Sequence, residues 1–221
     1  MLITLVIIGV IAALTIPNLM QKYQEQATVK KVQKFYSNLA NAYTLVIKDN
    51  GPANEWNSSI ENPVGIYETI IKPYFKITKD CGVSNTGNCV ANVRYKELNN
   101  NLTTNFGAST HLYKVTLEDG GVVMTRGHEA TSSIDIIVYY DVNGANGPNQ
   151  YGKDLFMFYI KKDNVFPTGM VGRYGGWYLF NSSCQKTSDG AGCTAWVVYK
   201  GNMDYLHCDG LTWQSRSCKE K

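Results

Sequence analysis

The 221-residue sequence predicts an α+β fold, a long N-terminal helix packed on an antiparallel β-sheet head. Three observations predict it. Met1 to Met20 is one uncharged, almost wholly apolar run. An apolar stripe of helical period continues it without a break. From Leu112 onward, short apolar and β-branched runs alternate with Gly-, Asn- and Asp-rich turns, the pattern of an antiparallel sheet. The expected division is residues 1–20, a membrane half of the helix; 21–48, its amphipathic half; and 49–221, a globular α+β head.

The first run reads MLITLVIIGVIAALTIPNLM, and Lys22 is the first charged residue. Twenty helical residues span about 30 Å, the hydrocarbon thickness of a bilayer. A secretory signal peptide would carry a basic segment ahead of the apolar one, and none precedes this run. Leu19, Tyr23, Val29, Val32, Tyr36, Leu39, Tyr43 and Val46 then recur mostly at spacings of three and four. That stripe should cover one face of the sheet. Asp49, Asn50, Gly51 and Pro52 end the helix, Gly51 suiting a left-handed cap and Pro52 barring continuation. Pro17 removes a backbone hydrogen bond within the helix. Gly9 lets a neighbouring helix approach closely.

In the head, Val64 to Phe75 has helical spacing. Leu112–Leu117, a turn at Asp119-Gly120-Gly121 and Val122–Thr125 read as a hairpin. Ile134–Val142 and Leu155–Ile160 read as strong strands, Trp177–Phe180 and Ala195–Tyr199 as shorter ones. The net charge of +3 is mild, and the basic residues lack the stripe that nucleic-acid binding requires.

Six cysteines form three sequence-local pairs, none in a CxxC arrangement, so disulfides are expected rather than zinc. Cys81–Cys89 flanks a turn. For the other four, Cys184–Cys193 and Cys208–Cys218 are favoured because each closes a short polar loop containing Gly; Cys193–Cys208 across a hairpin is the rival. His111, His128 and His207 are scattered, no HExxH or G-x-S-x-G motif occurs, and Gly175-Gly176 is too short for a phosphate loop. No catalytic constellation is visible, so no enzyme activity is expected. The segment DVNGANGPNQYGKD places Asp141 and Asn143 two apart, followed by Asn146, Asn149 and Asp154; Asp141, Asn143 and Asp154 are the main candidate oxygen ligands for a hard cation such as calcium, though without EF-hand spacing. The alternative is a glycine-rich connection whose Asn and Asp make local turns. No other cofactor is expected.

Gly9 and Ile16-Pro17-Asn18, with eight residues from Gly9 to Pro17, resemble the hydrophobic segment of type IV prepilins and type II secretion pseudopilins. The resemblance implies a pilin-like fold and a filament subunit. Leu2, Leu5, Ile8, Gly9, Ile11, Leu14 and Pro17 would pack in a membrane and then among like helices. Some members hold calcium in a head loop. The implied partners are like subunits and other pilins or pseudopilins, the inner membrane and, for a full-length precursor, prepilin peptidase. The implied location is single-pass in a bacterial inner membrane, with the head in the periplasm or on the surface in a filament.

Lys22, Lys30, Lys31 and Lys34 alone would place the head in the cytoplasm. The family's basic leader reverses that balance. Its functional glutamate would fall immediately before Met1, so Met1 is expected to be an internal methionine of the apolar run. The alternative to a filament subunit is a tethered binding head or adhesin, with Trp177, Trp196 and Trp213 contacting a ligand.

Overall fold

The computed structural model describes residues 2–56, 59, 61–128, 135–170 and 178–219, with α1 side chains described at Ala13 and from Thr15 onward. Helix α1 runs Leu2–Asn50 without interruption at Pro17. Gly51 follows in the left-handed region at φ 75° and its N–H caps Ile47 O at 2.9 Å. The end lies two residues beyond the expected Lys48, because Asp49 and Asn50 continue the last turn.

Among the described residues eight strands follow: β1 (Ile77–Gly82), β2 (Arg94–Lys96), β3 (Leu102–Asn105), β4 (Tyr113–Leu117), β5 (Val122–Gly127), β6 (Ile136–Asp141), β7 (Leu155–Lys161) and β8 (Asn164–Pro167). Six of them form one antiparallel sheet in the order β1-β4-β5-β6-β7-β8, and β2 and β3 pair separately. The expected hairpin is β4–β5, with Val115 opposite Val123 across the Asp119-Gly120-Gly121 turn. Strands β6 and β7 are buried on both faces, which is why their sequences are continuous apolar runs rather than alternating ones.

One face carries Val123, Val138, Tyr140, Phe156, Phe158 and Ile160 and packs under the α1 stripe Val29, Val32, Phe35, Leu39, Tyr43 and Val46. Phe35 stacks on Tyr140 with ring centroids 4.2 Å apart. The other face carries Met124, Ile137, Tyr139, Met157 and Tyr159 and is roofed by Val90, Tyr95, Phe106 and Leu112. Both edges resist further pairing. β1 is interrupted by two register shifts, and β8 is four residues long and ends at Pro167.

The expected helix near residue 64 appears as α2 (Pro63–Ile66), continued by a wide turn at Tyr67–Ile71. Asn62 caps its start through Gly65 N at 3.1 Å. Two strand expectations are corrected. Ala195–Tyr199 lies in helix α4 (Thr194–Lys200), closed by Gly201 at φ 70°. A short apolar run fits a strand or a buried helix equally. Here Ala195, Trp196 and Val197 are all buried on a helical turn. Phe180 begins a second short helix, α3 (Phe180–Ser183), and Leu179 makes only an isolated bridge to Gly169. Trp177, Gly175, Gly176 and Ile134 lie outside the described residues.

The structure joins Cys81 to Cys89, Cys184 to Cys193 and Cys208 to Cys218, and leaves no free cysteine. Cys184 and Cys193 are both fully buried and tie α3 to the start of α4. Replacing this pair by serine should lower the head's unfolding free energy by roughly 2–3 kcal/mol, the value for opening a loop of about ten residues. Urea denaturation at equal protein concentration measures it.

Candidate functional site

Two features meet where α1 leaves the head: a length of helix the head does not cover, and the loop between β6 and β7. From Val29 onward α1 buries one face in the core. Before it, Ile16 (56%), Leu19 (68%), Met20 (51%) and Tyr23 (68%) stand exposed. Spaced by three and four, these side chains form one exposed apolar stripe on the helix, a candidate contact surface. The backbone of Leu2, Leu5, Ile8, Gly9, Ile11 and Leu14 is in α1, but their side chains lie outside the described residues. Among the described residues no helix is long and apolar enough to cross a membrane.

Polar contacts fix the lower helix to the head. Lys31 Nζ donates to Asp119 O at 3.0 Å and Val142 O at 2.9 Å. Gln33 Nε2 donates to Val198 O at 3.0 Å. His207 Nε2 lies 2.8 Å from Glu25 Oε2, joining the C-terminal segment to the helix. That pair spans 182 residues, so no local spacing announces it.

The loop is built on two buried carboxylates. Asp141 ends β6 fully buried; its Oδ1 accepts Asn143 N at 3.1 Å and Gly144 N at 2.8 Å, and its Oδ2 accepts the Tyr95 hydroxyl at 2.7 Å. Gly144 is required there. Its φ is 65°, and a Cβ would stand 3.0 Å from Cys89 O. Asp154 precedes β7 and accepts Asn149 N at 2.7 Å and Gln150 N at 2.6 Å. Burial pushes the Asp141 carboxyl up to about 7, and the neighbouring Asp154 charge adds to it. The Tyr95 and backbone hydrogen bonds oppose that rise without cancelling it. Asp154 is raised for the same first reason, burial.

The loop therefore brings together the three residues singled out from the sequence, Asp141, Asn143 and Asp154, and stitches them with its own N–H groups. The Oδ1 atoms of Asn143 and Asn149 are buried with no hydrogen-bond partner. Among the described residues, no group of three or more His, Cys, Asp or Glu could hold a metal. A cation here would rest on the two carboxylates and on those amide oxygens. Sequence spacing marked Asn149 within this loop but missed Tyr95. Tyr95 comes from β2, far away in the chain.

Of the three tryptophans expected to contact a ligand, two lie among the described residues. Trp196 is fully buried against Phe180, with centroids 4.5 Å apart, Trp213 is partly buried, and Trp177 lies outside the described residues. Trp196 is thus not an exposed ligand contact.

No curated protein and no solved structure matches the chain. One protein family does, over residues 18–170, from the turn after Pro17 through the whole six-stranded sheet and its β8 edge. That span exceeds half of the sequence, and the chain belongs to this family of unknown function, DUF6613.

Proposed function

We propose that the protein is a structural subunit of a filament of the type IV pilin or pseudopilin kind, with a pilin-like fold. In this reading α1 waits in the bacterial inner membrane and then packs among the helices of like subunits, with the head outside the cytoplasm. The observation that carries the reading is the helix itself. Its 49 residues extend about 70 Å at about 1.5 Å per residue. The head buries its apolar stripe only from Val29, leaving Ile16, Leu19, Met20 and Tyr23 exposed. The apolar run before Ile16 supports it by composition.

Ile16→Asp with Leu19→Asp tests this. A charge within an apolar span costs about 3 kcal/mol at its centre and less near its end. The membrane-bound fraction should fall about tenfold or more, while the head's melting temperature stays unchanged. An unchanged membrane fraction would refute the proposal.

The Asp141–Asp154 loop is proposed to hold calcium, on the strength of the two orphaned amide oxygens beside two buried carboxylates. Calcium should raise the melting temperature of the purified chain and chelator should reverse it. Identical melting curves would leave the loop a hydrogen-bonded connection only.

A further inference from the structure

A groove of about 740 Å³ opens between α1 and the head, bordered by helix residues from Gln21 to Lys31. Apolar Val142, Met203 and Leu206 line it together with three lysines, Lys31, Lys153 and Lys186. Its acidic lining residues are already engaged. Glu25 faces the His207 ring, and the Asp154 oxygens accept the Asn149 and Gln150 N–H groups. Lys31 uses two of its donors on carbonyls of the head. Lys186 pairs at 3.3 Å with Asp209, whose side chain is 82% exposed, and such a pair is readily exchanged. Lys153 has no carboxylate partner among the described residues. The lining thus combines an apolar part with available positive charge, which complements a lipid phosphate and the first carbons below it.

Its height fits as well. With the apolar run ending at Met20 in the hydrocarbon, Gln21 to Glu25 rise through the next ~2–8 Å. The headgroup layer is roughly 5–7 Å thick on each side. We propose that this groove docks the phosphate-bearing headgroup of an anionic phospholipid, an inference that rests on the membrane insertion proposed above. The headgroup would steady the head on the membrane surface before assembly.

The test is partitioning of the full chain, wild type and Lys153→Gln/Lys186→Gln, into vesicles of phosphatidylcholine alone and of phosphatidylcholine mixed with phosphatidylglycerol. Wild type is expected to prefer the anionic vesicles. The double variant should lose roughly thirty-fold of that preference, at about 1 kcal/mol per lysine near an anionic surface. Either single variant should lose about fivefold by the same rule. Binding to neutral vesicles and the melting temperature should not move. A variant that keeps the full preference overturns the proposal, since Lys22 and Lys30 would then supply the attraction. Saturable binding of inorganic phosphate without vesicles reassigns the groove to a free anion and overturns it too. Wild type that binds both vesicles equally removes the groove's role and leaves membrane insertion standing. Wild type that binds neither removes both.

Discussion

Phe35→Ala should destabilise the head by about 3–5 kcal/mol, the range for emptying a buried aromatic site. Phe35 is 2% exposed and lies where α1 meets the sheet. It stacks on Tyr140 at 4.2 Å and touches Phe158 and Phe75 with centroids at 5.4 and 5.7 Å. Alanine there removes the dispersion contacts with three rings and opens a cavity that rigid β6 and β7 cannot close. The Tyr140 hydroxyl, bonded to Asp119 at 2.8 Å, holds its ring from sliding into the gap. Marginal domains carry about 5–15 kcal/mol in total, so the variant should approach unfolding at 37 °C. Denaturant midpoint and slope measure it. A loss below about 1 kcal/mol would mean that the helix contributes little to the head, contrary to the packing described.

Asp141→Asn should stabilise the cation-free head above neutral pH. The Asp141 carboxyl ionises normally near 3.8 and in the fold near 7, because burial penalises its charge. The folded state therefore binds more protons than the unfolded one between those values. Its contribution is full below about pH 4 and is lost as pH rises toward 7. At about 1.4 kcal/mol per pH unit the loss is roughly 4 kcal/mol.

Asparagine keeps the geometry without the charge. Its Oδ1 can accept the Asn143 and Gly144 N–H groups, and its Nδ2 can donate to the Tyr95 hydroxyl. In chelator, wild type should lose stability from pH 4 to pH 7 while Asp141→Asn stays flatter. Calcium should restore wild type at pH 7 and leave the variant nearly unmoved. A wild type whose stability rises over that range in chelator would contradict the raised ionisation of Asp141.

Strands were legible where burial writes them plainly. β6 and β7 are unbroken apolar runs, and β4–β5 announces itself through Asp119-Gly120-Gly121. β1, β2, β3 and β8 were not. Ile77–Gly82 is mostly polar because it is an edge, and the others are three or four residues long. α4 misled because Ala195, Trp196 and Val197 are buried together, which erases the alternation that separates helix from strand. In the candidate site, Asp141, Asn143 and Asp154 were visible from one short segment. Tyr95 and the Glu25–His207 contact join distant parts of the chain, and only the folded topology brings them together.

The most direct test of the filament assignment is photo-cross-linking in intact membranes, with a benzophenone side chain placed in turn at Ile16, Leu19 and Met20. Packing among like helices predicts a ladder of dimers and higher multiples of the chain from all three positions. Lipid adducts without any copy-to-copy product would contradict it and leave a tethered monomeric head in its place.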